Sequence, residues 1–457
     1  MNNLLQLASS SLSPTLPPFA GEGANVGLRP STAIDDAGED VLMMNAMAMM
    51  TPPPLPNPGG TTSHSTRPAS GQVAGYPPRG GRGQTLGPNR LNRTLMVMAG
   101  GTGGHVYPAL AVADELRARG WEVFWLGTRA GLEARVVPAA GIDMVWVSMG
   151  GVRGKGLLKK LLLPVMLLRA FWQSLRTILQ RRPDVVLGMG GYTAFPGGMI
   201  ASLLNRPLVI HEQNSVAGLT NRVLACLADR VLVAFPAVFR NAGDKPVPCR
   251  KVETEWVGNP VRADIVALSA EPSAPRSGPL RLLVVGGSLG ASALNELVPK
   301  ALALLPADKR PAVVHQSGRQ HLENLRAHYA AAGVEADLRN YIEDMAAAWR
   351  DCDFAICRAG AITVAELACA GVPAVLVPFP HAVDDHQTGN ARFLSESGAG
   401  WLMQQKDLDP QKLATLIAGL DRPTLEAMAA KARALAKPDA AARVADICQE
   451  LAEGVRP

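Results

Sequence analysis

A short apolar strand that runs into a glycine-rich turn and then a helix occurs twice in the chain, and this repetition limits the fold more than any other feature. Leu95 to Ala99 leads into Gly100-Gly101-Thr102-Gly103-Gly104-His105 and an amphipathic helix to about Arg119. Leu282-Leu283-Val284-Val285 leads into Gly286-Gly287-Ser288-Leu289-Gly290 and a helix from about Ala291. Apolar runs near Val123, Met144, Val185, Val209 and Val231, then near Val313, Phe354 and Ala374, alternate with helical stretches. That alternation predicts parallel sheets in an α/β fold. The duplication predicts two Rossmann-like doubly wound domains facing a central cleft, with ligands at the carboxyl ends of both sheets. The expected boundaries are 93–261 and 262–437, with the change of domain after Gly258-Asn259-Pro260 and a C-terminal helix over about 438–457 that can pack back on the first domain.

Residues 1 to about 92 have a different texture. Thr51-Pro52-Pro53-Pro54-Leu55-Pro56, a Gly/Arg stretch around Arg79 to Arg82 and the lack of apolar periodicity predict a disordered, low-complexity extension. It lacks the basic start and apolar block of a secretory signal, and Asp35, Asp36, Glu39 and Asp40 suit a transit peptide poorly. The chain of 457 residues is 47% hydrophobic, enough to bury a sizeable core. Six cysteines (Cys226, Cys249, Cys352, Cys357, Cys369, Cys448) lie without CxxC spacing, which argues against the usual zinc site and for a reducing compartment with cysteines packed as small hydrophobes. A net charge of +6 suits anionic lipid or a phosphorylated substrate. Nucleic acid is disfavoured, because no aromatic-basic stripe or recognisable module accompanies the charge.

A glycine-rich turn between strand and helix lets backbone N–H groups and the helix dipole meet an anion. The first turn does not match GxGxxG, and the second strand ends in Leu126-Gly127-Thr128 without an acidic residue for a cofactor ribose, which disfavours a dinucleotide dehydrogenase. Neither turn matches GxxxxGK[ST], the pattern of a P-loop NTPase. Four further segments follow apolar strands, as cleft-lining loops should: Gly190 to Gly198, His211-Glu212-Gln213-Asn214, Cys357 to Glu366, and Pro378 to Gln387. Asp351-Cys352-Asp353 precedes a strand, at the end away from the cleft, and reads as a structural turn rather than a metal-binding DxD. His381, Asp384, Asp385 and His386 are metal-compatible types, but hydrogen bonding to sugar and phosphate accounts for them as well. His211-Glu212 has no second histidine at 215, so it is not HExxH.

On GGTGGHVYPALA, GMGGY, HEQN, GNPVR, GGSLGA and the acidic helix residue Glu366, in that order from about Leu95 to the C-terminus, the chain resembles the MurG family of bacterial UDP-N-acetylglucosamine transferases of peptidoglycan synthesis. The resemblance implies the two-domain GT-B fold and inverting transfer of N-acetylglucosamine from UDP-GlcNAc to the C4 hydroxyl of the MurNAc of lipid I, giving lipid II and UDP. It implies no cofactor and a peripheral enzyme on the cytoplasmic face of the bacterial inner membrane, with a part in cell shape and division and partners among other cell-wall synthesis or division proteins. It further implies a donor held mainly by the second domain. Ile342 would back the uracil, Glu366 would accept from the ribose hydroxyls, and Arg262 and Ser288 would meet the pyrophosphate. Ala361, Ile362 and Thr363 would wall a helix start, His386 and Gln387 would face the sugar, and Thr102, Gly103, Gly104 and Asn214 would reach it from the first domain. Two residues depart from the family pattern: Leu289 stands where glutamine is common and Ala359 where serine often precedes Gly-Ala, and each removes a possible polar contact to the donor.

Such a transfer needs a base for the attacking hydroxyl and stabilisation of the departing UDP. His105 is the first choice for the base, since it starts a helix whose dipole disfavours imidazolium; Glu212 is the second. The alternative is that His105 only hydrogen-bonds the substrate. Arg262 and the helix dipole after Gly286-Gly287-Ser288 could meet the leaving-group charge without metal. The acceptor pyrophosphate is expected at Gly103-Gly104 and Gly190-Gly191-Tyr192, although Tyr192 could simply pack. The stretch from Gly156 to Leu175 is apolar but broken by charges and Pro164, too short to cross a bilayer. With Arg153, Lys155 and Arg176 beside it, shallow insertion into anionic lipid by Leu161, Leu162, Val165, Leu168 and Trp172 is expected. A core helix with snorkelling lysines is the alternative. Two rival functions share the fold or ligand: a UDP-N-acetylglucosamine 2-epimerase, against which the apolar basic stretch counts, and a non-catalytic membrane scaffold that binds UDP-sugar.

Overall fold

The computed structural model describes residues 92–149, 163–236, 238–239, 252–271, 276–287 and 290–454. Residues 1–91, expected as an unfolded extension, lie outside the described residues, as do Leu161, Leu162, Ser288 and Leu289.

The first seven strands are β1 (Thr94–Met98), β2 (Glu122–Gly127), β3 (Asp143–Trp146), β4 (Val185–Gly188), β5 (Leu208–Glu212), β6 (Arg230–Val233) and β7 (Glu255–Trp256). They form one parallel sheet in the order β3-β2-β1-β4-β5-β6-β7. The next six are β8 (Arg281–Val285), β9 (Ala312–Gln316), β10 (Asp337–Arg339), β11 (Phe354–Cys357), β12 (Ala374–Leu376) and β13 (Gly400–Leu402). They repeat the pattern as β10-β9-β8-β11-β12-β13, again parallel. β1, β4 and β5 are buried along their whole length, because helices cover both faces of a parallel sheet. The sequence pattern missed β7, β10 and β13. All three are edge strands of two or three residues, too short to leave an apolar run.

Strand order reverses between β1 and β4 in one sheet and between β8 and β11 in the other. Met98 pairs with Gly188, and Val285 with Cys357, so the two loops leaving each central pair emerge level with each other. A crevice opens at such a switch point, where consecutive connections depart to opposite faces. At the other end of the sheets, carboxylates close the ladder. Asp184 accepts the Thr94 N–H at 2.8 Å, Asp229 accepts that of Leu208 at 2.9 Å, and Asp353 accepts that of Arg281 at 2.8 Å. Asp353 also binds Arg276 at 2.8 Å and Arg422 at 3.4 Å, which makes Asp351-Cys352-Asp353 a structural turn.

The helices that matter for the site are α1 (Gly103–Ala118), α2 (Glu133–Ala139), α3 (Leu163–Arg181), α4 (Ala194–Leu203), α5 (Leu219–Leu224) and α6 (Ala263–Ala267). In the second lobe they are α7 (Ser292–Ala303), α8 (Leu322–Ala332), α9 (Met345–Asp351), α10 (Ala361–Ala370) and α11 (His386–Ser395), followed by α12 (Pro410–Ala418), α13 (Arg422–Leu435) and α14 (Ala440–Ala452). The chain crosses between lobes twice. After α13 it returns, and α14 packs Val444, Ala445, Ile447, Cys448 and Leu451 into the core of the first lobe. Arg119 at the end of α1 binds Asp446 of α14 at 2.6 Å. On α3, Val165, Leu168 and Trp172 are 63%, 70% and 58% exposed, while Ala170, Ser174 and Ile178 are buried. Their spacing places the three on one helix face, so this is no core helix.

Cys352, Cys357, Cys369 and Cys448 are buried free thiols, and burial pushes Cys357 up to about 12 and Cys369 up to about 11. Cys226 lies half-buried just beyond α5, and Cys249 lies outside the described residues. An Asp353→Ala variant strands two guanidinium groups and a strand-end N–H; chemical denaturation is expected to show a loss of about 2–4 kcal/mol.

Candidate active site

The first lobe builds its part of the site by bringing two turns into backbone contact. Gly190 and Gly191, after β4, have φ of +90° and +80°. A Cβ on Gly190 would lie 2.8 Å from His105 Nδ1, and one on Gly191 would lie 2.5 Å from the Gly100 carbonyl. Only glycine therefore lets the β4 turn rest on the β1 turn and the histidine ring. The buried carboxylate of Glu133, at the start of α2, braces this arrangement. It accepts from the Gly101 N–H at 3.0 Å and from the Thr128 N–H and hydroxyl at 3.1 and 2.7 Å. Thr128 Oγ1 lies 3.4 Å from the Tyr192 hydroxyl, which puts Tyr192 beside the glycine turns. Thr102 caps α1 through its carbonyl, which accepts from the His105 and Val106 N–H groups.

His105 ends a chain of three hydrogen bonds, the inner two of them buried, whose direction follows from two backbone carbonyls. Gln213 Nε2 donates to the His211 carbonyl at 3.1 Å, so its amide oxygen must be the atom 2.8 Å from His105 Nδ1. That ring nitrogen therefore carries the proton. His211 Nε2 lies 2.9 Å from the Gly258 carbonyl and so donates to it, leaving His211 Nδ1 to accept from Gln213 at 3.0 Å. Burial pushes His211 down to about 4, which keeps it neutral. The outcome is that the neutral form of the His105 ring is fixed as the Nδ1–H tautomer.

Glu212, the second choice for a base, has other work. Its buried carboxylate accepts from Asn214 N and Nδ2 at 3.0 and 3.4 Å, and from Gly218 N and Asn221 Nδ2 at 3.0 and 2.9 Å. Donors therefore meet both oxygens, and the carboxylate holds the loop after β5. The same loop is clipped to the second lobe. The Ser215 N–H donates to Asn390 Oδ1 at 2.8 Å, the Ser215 hydroxyl to the His386 carbonyl at 3.1 Å, and Asn390 Nδ2 to Asn214 Oδ1 at 3.4 Å.

In the second lobe Glu366 lies on α10, 9% exposed, and accepts from Trp349 Nε1 at 3.1 Å. Burial raises its pKa above the ordinary range, opposed by the Trp349 bond and the charge of Arg262. Arg262 precedes α6 and also faces Tyr107 of the first lobe, whose phenol is pushed up by burial and by Tyr341. Ile342 is buried in the same core cluster as Trp349 and Ala361, while Ile362 and Thr363 are half-buried on the first turn of α10. Gln387 Oε1 accepts the Phe379 N–H at 2.9 Å, and Arg358 donates to the Val377 and Pro378 carbonyls, so the loop after β12 is fixed from two sides. Asp385 accepts from the Thr388 hydroxyl at 2.7 Å; His381, Asp384, Asp385 and His386 form no cluster of three metal-ligating groups among the described residues.

The Glycosyltransferase family 28 N-terminal domain matches residues 95–233, and the C-terminal domain of the same family matches 281–447. A protein of Thiobacillus denitrificans, the UDP-N-acetylglucosamine–N-acetylmuramyl-(pentapeptide) pyrophosphoryl-undecaprenol N-acetylglucosamine transferase, is 79% identical over 362 residues, which cover 79% of this chain and 99% of that protein. Its counterpart in Azoarcus sp. is 60% identical over 364 residues, with 99% of that protein covered. The crystal structure of MurG from Acinetobacter baumannii superposes with a TM-score of 0.66 at 41% identity, covering 78% of this chain and 99% of that one. The chain belongs to the MurG family. In this MurG-family chain, motif reading found the loops but missed side chains that hold them. Gln213 lay inside a quoted motif without a role, Glu133, Trp349 and Asn390 carry no local signal, and Ser288 lies outside the described residues.

Two outcomes follow. Glu212→Gln is expected to lower stability by about 1–3 kcal/mol in urea titrations, because an amide N–H₂ would oppose donors, while leaving the pH dependence of turnover in place. His211 titrates near 6.5 when unfolded but about 4 when folded, and buried His315, between Tyr329 and Asn295, is pushed down to about 3. Stability present above pH 6.5 should therefore fall with acidification, the pair contributing about 3 kcal/mol between pH 7 and 5. Denaturation of His211→Gln at both pH values should show a shallower dependence.

Proposed function

We propose that His105 is the general base of an inverting transfer and that the paired glycine turns and α10 hold its two diphosphate groups. The enzyme is a UDP-sugar glycosyltransferase that moves N-acetylglucosamine to lipid I in peptidoglycan synthesis. The observation that carries the assignment is the Gly258–His211–Gln213–His105 chain, which leaves Nε2 of His105 as the basic nitrogen. In the step, Nε2 takes the proton of the C4 hydroxyl of the N-acetylmuramoyl acceptor as its oxygen attacks C1 of the donor sugar from the face opposite UDP. The bond from C1 to the diphosphate oxygen breaks, and UDP leaves with the electron pair. Gln213 Oε1 accepts from Nδ1 throughout and so stabilises the imidazolium that forms.

Charge developing on UDP is met by Arg262 and by the first N–H groups of α10 at Ala361, Ile362 and Thr363. Glu366 accepts from the ribose hydroxyls above Ile342. His386, Gln387, Thr102 and Asn214 frame the sugar. Gly103, Gly104, Gly190, Gly191 and Tyr192 hold the acceptor diphosphate, for which the backbone contact of the two turns is the support.

Val165, Leu168 and Trp172, joined by Leu179 at 55% exposure, give α3 an apolar face with Arg176 stacked on Trp172 at 5.7 Å. Such a face beside guanidinium groups suits shallow insertion among anionic lipids. No described helix is long and apolar enough to cross a membrane. Docking at the cytoplasmic face of the inner membrane would bring the site to a lipid-borne acceptor and would set the enzyme beside the proteins of cell-wall synthesis, cell shape and division.

UDP release by the purified chain should depend on a lipid I analogue in detergent and yield a disaccharide product, with a chelator arm included. Interconversion of the donor sugar without acceptor would overturn the reading in favour of an epimerase. His105→Ala should lower kcat by about 10²- to 10⁴-fold with donor KM little changed. Leu168→Ser with Trp172→Ser should weaken sedimentation with anionic vesicles at least about tenfold, from lost apolar burial, while turnover of a water-soluble acceptor persists.

A further inference from the structure

We propose that Trp349 is a positioning residue that sets donor affinity, its indole N–H holding Glu366 so that the other carboxylate oxygen meets the ribose. This rests on the reading that Glu366 binds the ribose hydroxyls. Trp349 is 1% exposed and sits on α9, between the loop that carries Ile342 and strand β11. It belongs to the same packed core cluster as Ile342 and Ala361, the residues expected behind the uracil and at the diphosphate wall. Its Nε1 lies 3.1 Å from Glu366 Oε2, and among the described residues this is the hydrogen bond that Glu366 receives.

The bond matters because of what surrounds the carboxylate. Asp264 and burial favour its protonated form, Arg262 and Trp349 its ionised form, and the neighbouring Cys357 and Cys369 are thiols that burial keeps neutral. The ionised carboxylate offers only acceptors and accepts more strongly than the acid, so it is the form that suits a pair of hydroxyl donors. Arg262 is half-exposed and shared with Asp264 at 3.7 Å, so its help is screened by solvent. Trp349 is the buried donor. The indole and the carboxylate therefore orient each other.

Trp349→Phe keeps an aromatic ring and deletes the N–H. Donor KM should rise about 5- to 20-fold, with kcat within about twofold and acceptor KM unchanged. The rise of donor KM on acidification should begin at higher pH than in the parent enzyme, because the carboxylate loses a partner that favours ionisation. With a donor lacking the ribose 2′-hydroxyl, the gap between variant and parent should shrink. Should the phenylalanine variant not fold, benzothienylalanine at position 349, which replaces the indole N–H by sulfur at nearly equal shape, serves the same comparison. Unchanged donor KM and pH profile in a folded variant, alongside a Glu366→Gln enzyme with raised donor KM, would overturn the role of Trp349 alone. A Glu366→Gln enzyme with normal donor KM would overturn the ribose reading and this proposal together.

Discussion

Two main chains approach more closely than side chains permit where Gly191 rests on the Gly100 carbonyl, and much of the first lobe follows from that contact. The contact exists because β1 and β4 are neighbours at the point where strand order reverses, so their outgoing loops emerge level and must share one small space. Sharing it leaves backbone polar groups partly cut off from water, where each needs a partner. Glu133 supplies one for Gly101, and Glu212 does the same for the loop after β5. Both carboxylates, Glu212 among them although its type and motif suit a base, thereby hold backbone in shape. The ring of His105, pressed against Gly190, is left with one nitrogen bound and one available.

The two lobes solve a common problem with different chemistry. Each has a buried histidine on an interior strand, His211 on β5 and His315 on β9, kept neutral by burial and bonded through an amide side chain. In the first lobe the amide is Gln213 and the chain continues to His105. In the second it is Asn295, which donates to the Ser317 carbonyl at 2.9 Å and so steadies the loop packed against the second glycine turn. A neutral imidazole can donate from one nitrogen and accept at the other, and that two-sided capacity is what a closed buried network needs. The arrangement is stiff at neutral pH, and acid weakens it in both lobes by the same linkage.

Much of the fold was legible because parallel strands covered on both faces leave continuous apolar runs, and Leu95 to Ala99, Val185 to Leu187 and Leu282 to Val285 are such runs. The short edge strands β7, β10 and β13 were not legible, since pairing on one side places few demands on composition. The loops of the site were visible as motifs. The side chains that orient them were not: Gln213, Asn390, Glu133 and Trp349 act on residues distant in sequence, and nothing near them marks the role. Glu212 shows the converse case. Its residue type and its setting in HEQN suggested a base, and only the four donors around it reveal a brace.

The sequence by itself determined the duplicated α/β architecture, the order of the cleft loops and the apolar, basic character of α3. Those properties are written in local periodicity and in glycine position, which act over a few residues. Tertiary structure alone decided which nitrogen of His105 is bound to Gln213 and which carboxylates brace backbone. Each of these depends on a partner brought from far along the chain, and the direction of a hydrogen bond is fixed only when both ends, and the groups behind them, are in hand.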